Sequence, residues 1–215
     1  MEHIRQEEVR AALALSLVGG IGPVSFRRLT DTFGSAAAVF ARDEEELSGV
    51  EGIGRERARA ILSFSAWETV AAILERAAAA ALGVCVVGEE TYPRALAEIP
   101  DPPPVLFWRG SLFGLTAPAV AVVGTRNPTA YGLDVTDYIV APLAEAGVTI
   151  VSGMARGIDG RAHRAALEAG GFTVAVLGCG ADVLYPAEHL PLRDEIATRG
   201  LILSEFLPGT PPDPT

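Results

Sequence analysis

The chain of 215 residues is long enough for one large or two small domains, and a hydrophobic fraction of 49% suffices for a packed core. It contains no run of about 18 apolar residues, and its N-terminus, MEHIRQEEVR, is too charged for a secretory signal, so we expect a cytoplasmic protein without a membrane-spanning helix. The formal net charge is −10 and every basic residue is arginine, so bulk electrostatics disfavour broad nucleic-acid binding, and any phosphate recognition must be local.

Residues 1–82 predict a small all-α domain, because apolar residues recur at intervals of three and four. The predicted helices are Val9–Val18, Phe26–Phe33, Ala58–Phe64 and Val70–Leu82. Two Gly-Ile-Gly triplets, at residues 20–22 and 52–54, each lie between predicted helices. This repeat is similar to the helix-hairpin-helix motif, whose hairpin amides can bind a DNA phosphate.

The second copy of this repeat, VEGIGRERARAIL, is the better match, and it makes Gly52, Gly54 and Arg55 a candidate second contact with DNA. The acidic segment between the copies, residues 42–51, opposes a broad DNA footprint. The alternative is a protein-interaction domain of the sterile-alpha-motif type, or a spacer.

The second part of the chain, residues 83–215, predicts an α/β domain. Short apolar runs at Gly83–Gly88 and Val105–Arg109 predict strands on either side of a helical turn and the proline-rich connector IPDPPP. From residue 119 strands and helices alternate, which indicates a doubly wound parallel sheet with right-handed crossovers. The predicted strands are Ala119–Gly124, Val148–Ser152, Phe172–Leu177 and Leu201–Ser204, and the predicted helices are Gly132–Ala146, Gly160–Ala169 and His189–Arg199. Four strands make an incomplete sheet, so we expect the chain to stop before its fold is complete.

Two glycine-punctuated stretches, AVAVVGTRNPTAYG and TIVSGMARGIDGRAH, predict the functional site. Each begins as an apolar run that suits a strand buried on both faces, and each then passes through a loop with one arginine, Arg126 or Arg156, into a helix. Ligands of open parallel sheets bind beyond the carboxyl ends of the strands, and loop amides and arginine both favour phosphate. Neither stretch is a Walker A loop or a Gly-x-Gly-x-x-Gly fingerprint, and two ordinary strand ends with solvated arginines are the alternative.

Four motifs in sequential order resemble the DNA-processing protein A (DprA/Smf) family: AVVGTRNPTAYG, VSGMARGIDGRAHRAAL, GGFTVAVLGCGADVLYPAEH and LILSEF. The resemblance implies an extended Rossmann-like parallel sheet preceded by a sterile-alpha-motif-like or helix-hairpin-helix-like domain. It also implies a single-stranded-DNA-binding protein that protects incoming DNA and loads the recombinase RecA during natural transformation and recombination. Single-strand-binding protein is a further implied partner, and the full-length protein is implied to be a homodimer.

The resemblance also implies which residues bind the nucleic acid, with binding alone and no catalytic residue, cofactor or metal. These residues are Gly124, Thr125, Arg126, Ser152, Gly153, Met154, Ala155, Arg156, Gly157 and His163. His163 is expected to contact phosphate or sugar, or to orient the loop. Asp159 is expected to be the N-cap of the following helix.

This chain departs from the family pattern in two places. His189 stands where the family usually has asparagine, and the Arg-Asn-Arg-containing stretch that follows the Ser-Glu pair at residues 204–205 in the family is absent. A rival interpretation is a Rossmann-like nucleotide phosphoribohydrolase. Such enzymes use a Gly-Gly-x-Gly-Thr loop and a catalytic glutamate, whereas this sequence has no such loop and only Glu168 and Glu205 as unplaced carboxylates.

Overall fold

The N-terminal part of the chain is helical, as its apolar periodicity predicts. The computed structural model describes residues 2–213. Its first helices are α1 (Glu2–Leu17), α2 (Pro23–Phe33), α3 (Ala36–Val39), α4 (Glu44–Ser48), α5 (Gly54–Leu62) and α6 (Trp67–Ala79). Their shared core consists of fully buried apolar side chains such as Leu13, Phe26, Leu29, Leu47, Ile53 and Ile61.

The two shortest of these helices depend on their caps. Asp43 and Glu46 form a capping box at the start of α4, in which each side chain accepts a hydrogen bond from the other residue's backbone amide. The carboxylate of Glu8, on α1, accepts hydrogen bonds from the amides of Ala36 (2.6 Å) and Ala37 (3.0 Å) at the start of α3. These contacts satisfy amides that a helix leaves unpaired at its N-terminus, which explains how helices of only a turn or so persist.

The rest of the chain supplies a sheet with the predicted α/β alternation. The strands are β1 (Gly83–Val86), β2 (Val105–Gly110), β3 (Ala119–Ala121), β4 (Thr149–Ser152), β5 (Thr173–Val176) and β6 (Leu201–Ser204), and the helices are α7 (Arg94–Ala97), α8 (Ala130–Glu145), α9 (Ile158–Glu168) and α10 (Leu190–Arg199). The strand order is β1-β2-β6-β5-β4-β3, with β3 to β6 parallel to one another and β2 antiparallel to β6. The predicted parallel sheet is confirmed.

One strand differs from its prediction. The run Ala119–Gly124 was expected to form a strand buried on both faces, but β3 ends at Ala121 and its residues are exposed. Val120 and Val123 keep 40% and 74% of their surface accessible. The physical reason is position: β3 is the last strand in the sheet order, so a neighbour covers only one of its edges. By contrast, β4 lies between β3 and β5, and its residues are largely buried.

Helices α8 and α9 pack on β4 through small and branched side chains. The core of this contact is Val140, Ala144, Ile150, Ala162, Ala165 and Ala166. The alanines of α9 allow its backbone to lie close to the sheet, so the start of α9 is held against the loop that follows β4.

By compactness the chain divides into two units, Met1–Ala78 with Val84–Leu106 and Ala79–Gly83 with Phe107–Thr215. The boundary drawn from the sequence, between residues 82 and 83, stays a prediction. Within residues 2–213 no helix has the length and apolar character needed to cross a membrane.

Candidate functional site

Two loops follow the carboxyl ends of adjacent parallel strands. The first loop, residues 122–129, follows β3, and the second loop, residues 153–157, follows β4. The first loop ends at Thr129, whose hydroxyl caps α8 by accepting a hydrogen bond from the amide of Gly132 (3.2 Å). The second loop leads directly into α9. This is the place in an open parallel sheet where ligands bind.

The two loops touch each other at Gly157. The amide of Ile158 donates a hydrogen bond to the carbonyl of Thr125 (3.2 Å). A Cβ atom added to Gly157 would lie 2.2 Å from that carbonyl oxygen and 2.9 Å from Cα of Arg126, so only glycine permits this approach. Because Arg156 precedes Gly157, the Cα atoms of Arg126 and Arg156 lie within about 8 Å of each other.

Gly124, in the first loop, also allows the two loops to lie close together. A Cβ atom there would lie 2.6 Å from Cγ1 of Ile158, the first residue of α9. Glycine at position 124 therefore lets the first loop and the start of α9 pack together. This role is structural, and it contributes to the site by bringing the loops into contact.

The two arginines have exposed side chains at this junction. Arg156 forms a two-pronged ion pair with Glu188: Nε donates to Oε1 and Nη2 donates to Oε2 (3.2 Å). This hydrogen bond raises the pKa of Arg156 and lowers the pKa of Glu188 to about 2. Both side chains stay about half exposed, 58% for Arg156 and 49% for Glu188, so solvent and ligands reach the pair.

Two amides of the second loop are occupied by a carboxylate of the protein itself. Asp159 is buried, and its Oδ2 atom accepts hydrogen bonds from the amides of Gly153 (3.2 Å) and Ala155 (3.4 Å). These two amides are therefore not free to bind phosphate, whereas phosphate binding by the other loop amides stays a prediction. The expectation that Asp159 is an N-cap is wrong, because the N-cap of α9 is Gly157 and Asp159 lies within the first turn.

Three of the predicted DNA-binding residues, Ser152, Met154 and His163, have buried side chains, so any contribution of these side chains to binding is through support of the loops. The Ser152 hydroxyl donates a hydrogen bond to the carbonyl of Val122 (2.6 Å), which links β4 to the first loop. Met154, 2% exposed, has a positive φ of 61°. His163 is fully buried in α9.

The tautomer of His163 follows from its hydrogen bonds. The Thr173 hydroxyl donates its single hydrogen to the carbonyl of Ile150 (2.8 Å), so it must accept from Nδ1 of His163 (2.7 Å). Among residues 2–213, no group forms a hydrogen bond with the buried Nε2 of His163. Burial lowers the pKa of His163 to about 3, which keeps the ring neutral. His163 thus connects α9 to β4 and β5.

His189, which departs from the family pattern, also supports the second loop. The residue is 5% exposed, and Nδ1 of its ring donates a hydrogen bond to the carbonyl of Met154 (3.0 Å). The ring fills the space beside Gly160, where an added Cβ would lie 2.6 Å from it. Sequence reasoning gave no role to Glu188, nor a structural one to His189; their only signal was their place after the Tyr-Pro pair at residues 185–186.

The helical unit presents the second Gly-Ile-Gly hairpin with left-handed glycines, Gly52 at φ 81° and Gly54 at φ 58°. Arg57 donates a hydrogen bond to the carbonyl of Gly52, and Arg28 donates to the carbonyl of Glu51 (3.1 Å). Arg55 is exposed and has no hydrogen bond or ion pair within residues 2–213. The hairpin is thus fixed by two arginines while a third is available for contact.

The two unplaced carboxylates lie at the C-terminal ends of α9 and β6. Glu168 is the last residue of α9, about 15 Å along the helix from its start, and it pairs with Arg161 (3.2 Å). Glu205 is exposed after β6. Among residues 2–213, no three His, Cys, Asp or Glu side chains cluster as metal ligands do.

Comparisons with known proteins match both parts of the chain. The family model for the DNA recombination-mediator protein A matches residues 83–215, and the model for the SAM-like helix-hairpin-helix tandem matches residues 12–66 and 44–91. Protein Smf from Synechocystis sp. is 38% identical over 94% of this chain and 52% of its own length. DNA processing protein DprA from Bacillus subtilis is 42% identical over 59% of this chain and 43% of its own length. The chain spans about half the length of the curated relatives it matches.

Two solved structures are similar. DNA processing protein A from Streptococcus pneumoniae superposes with a TM-score of 0.76 at 28% identity, covering 96% of this chain and 70% of that one. DNA processing protein A from Helicobacter pylori, whose structure concerns its single-stranded DNA binding mode, gives a TM-score of 0.55 at 35% identity over 62% of this chain and 59% of that one.

Proposed function

The chain belongs to the DNA recombination-mediator protein A family, and we propose that it binds single-stranded DNA at the junction of its two loops. The observation that carries this proposal is the contact at Gly157, which places two exposed arginines on neighbouring backbone segments beyond the carboxyl ends of β3 and β4. Two arginine side chains that start from neighbouring backbone segments can direct forked donors to successive phosphates of one strand.

The charge of the chain supports a local site of this kind. With a net charge of −10, the protein as a whole repels DNA, so binding depends on the arginines at the junction. Few phosphates are then neutralised. A plot of the logarithm of the binding constant against the logarithm of the salt concentration should therefore have a negative slope of at most about one per neutralised phosphate. The similarity to the Helicobacter pylori protein supports the same class of ligand.

For the whole protein we propose the role that the family name describes, mediation of recombination. In this role the protein protects incoming single-stranded DNA and loads RecA during natural transformation. Single-strand-binding protein is the second partner, and a homodimer is the working form. The site acts by binding, without covalent chemistry. Release of free base from a nucleoside monophosphate incubated with the chain would contradict this and favour a phosphoribohydrolase.

The experiment that tests the site compares arginine variants by fluorescence anisotropy with labelled oligo-dT. We expect Arg126→Ala to weaken binding about fivefold or more and to lower the salt slope by about one, because one phosphate contact is lost. Arg94→Ala is the matched control: Arg94 is exposed on α7 and belongs to neither loop, and its loss changes the net charge equally. Equal affinities for wild type and Arg126→Ala would remove Arg126 from the site.

A second proposed contact lies in the helical unit, because Arg55 is exposed and unpaired within the described residues beside the Gly52–Gly54 hairpin. We propose that this hairpin contacts duplex DNA. Arg55→Glu should weaken duplex binding relative to Arg94→Glu, which makes the same charge change elsewhere. If both variants bind duplex DNA alike, the hairpin instead serves as a protein contact or spacer.

A further inference from the structure

The ion pair between Arg156 and Glu188 has the geometry of phosphate recognition. Two nitrogens of one guanidinium, Nε and Nη2, face two oxygens of one carboxylate. A phosphate uses the same pair of donors in the same fork. Glu188 therefore occupies the part of Arg156 that a DNA phosphate would need.

Glu188 is held at this position by its own backbone. It lies in the 3-10 turn Ala187–His189, which the amide of His189 closes by donating to the carbonyl of Pro186 (3.0 Å). The buried His189 ring then binds the carbonyl of Met154, two residues before Arg156. The turn is thus fastened to the second loop itself, and the carboxylate of Glu188 is placed beside Arg156 by a buried contact.

The pair is nevertheless easy to separate. Both side chains are about half exposed, and exposed ion pairs are weak because water and salt screen them. Glu188 also lines a cavity of about 530 Å³ between α9 and α10, so its side chain has room to turn away. A ligand that competes for Arg156 therefore needs little free energy to displace Glu188.

We infer that Glu188 is a built-in competitor that covers Arg156 until a DNA strand displaces it. This inference rests on the function proposed above. An isolated phosphate ion that binds Arg156 must first break the ion pair with Glu188, and the new ion pair is about as strong as the one lost, so the phosphate binds poorly. A DNA strand also engages Arg126 on the neighbouring loop, so it displaces Glu188 at a net gain. The competitor therefore favours polymeric DNA over inorganic phosphate and free nucleotides.

The test compares Glu188→Gln with Glu195→Gln by anisotropy with labelled oligo-dT and by competition with inorganic phosphate. Glu195 lines the same cavity and pairs with Arg199 (2.6 Å), so its variant makes the same charge change without freeing Arg156. We expect Glu188→Gln, and equally Glu188→Ala, to bind DNA about two- to fivefold more tightly than the control. Inorganic phosphate should also compete better against Glu188→Gln than against wild type.

The gain should require Arg156. In an Arg156→Ala background, Glu188→Gln should change the affinity no more than Glu195→Gln does. Two results would contradict the role of Glu188 and leave the proposed function intact. One is a gain in affinity that persists without Arg156. The other is equal affinity of Glu188→Gln and Glu195→Gln while Arg126→Ala still weakens binding. If neither wild type nor Glu188→Gln binds oligo-dT, the proposed function falls and the competitor falls with it.

Discussion

Replacing Gly157 by alanine should separate the two loops, because this residue is where they touch. Its backbone has φ 79° and ψ −125°, the mirror image of extended backbone, which residues with a Cβ rarely adopt. The added methyl group would lie 2.2 Å from the carbonyl oxygen of Thr125 and 2.8 Å from the carbonyl carbon of Arg126. Both are backbone atoms, so the first loop would have to retreat by about 1 Å to restore ordinary contact distances.

The expected loss of stability has two parts. The positive-φ backbone costs about 1–2 kcal/mol for alanine, and forcing two packed segments apart costs about 1–3 kcal/mol more. Gly147→Ala is the control for a positive φ without a steric overlap, since Gly147 has a φ of 81° and open space where its Cβ would be. We therefore expect the free energy of unfolding to fall by about 2–5 kcal/mol for Gly157→Ala and by about 1–2 kcal/mol for Gly147→Ala.

Urea unfolding measures both variants, and anisotropy with labelled oligo-dT measures their affinity. Under conditions where each variant is folded, Gly157→Ala should bind DNA about tenfold more weakly, because Arg126 and Arg156 no longer share one surface. Gly147→Ala should bind as wild type does. If the two variants are equally stable and bind DNA equally well, the loops do not depend on Gly157, and the reasoning that joins the two arginines there is refuted.

Three further predictions concern buried groups. Burial lowers the pKa of His163 from 6.5 to about 3, so between these pH values the unfolded chain binds a proton that the folded chain does not. The free energy of unfolding, measured with urea, should therefore fall by about 2 kcal/mol between pH values above 6.5 and pH 5. The variant His163→Asn, which keeps a donor for Thr173, should lack this part of the pH dependence. Asp159→Ala should lower the free energy of unfolding by about 2–3 kcal/mol, because two loop amides lose their charged acceptor, and Asp159→Asn should cost less; equal stability of all three proteins contradicts this. Burial raises the pKa of the Cys85 thiol to about 12, so its reaction with a disulfide reagent at pH 8 should be slow until urea unfolds the chain, and rapid labelling of native protein would contradict its burial.

The sequence predicted the strands best where burial is complete. β4, β5 and β6 match their predicted positions closely because an apolar run covered on both sides leaves an unambiguous pattern. β3 has the same kind of run but lies at an edge, and its exposure depends on neighbours that no local pattern reveals. The short helices α3 and α4 were missed because they have too few residues for periodicity and depend on caps.

For the candidate site, the sequence identified the loops but not the groups that hold them. Gly157 and both arginines were recognisable as parts of strand-to-helix loops, whereas Glu188 lies 32 residues from Arg156 along the chain and meets it only through the fold. Asp159 gave a helix-start signal that the structure assigns to a different task, accepting loop amides. Short-range patterns thus find where a ligand would bind, and tertiary contacts decide which polar groups remain available to it.

Hydrogen bonds with Asp159 and His189 fix the second loop before any ligand binds. A receptor surface that is already shaped before its ligand arrives loses little conformational entropy when the complex forms. Encounter, not rearrangement of the loop, should then set the association rate, and the heat-capacity change of binding should reflect only the small area that the strand itself covers.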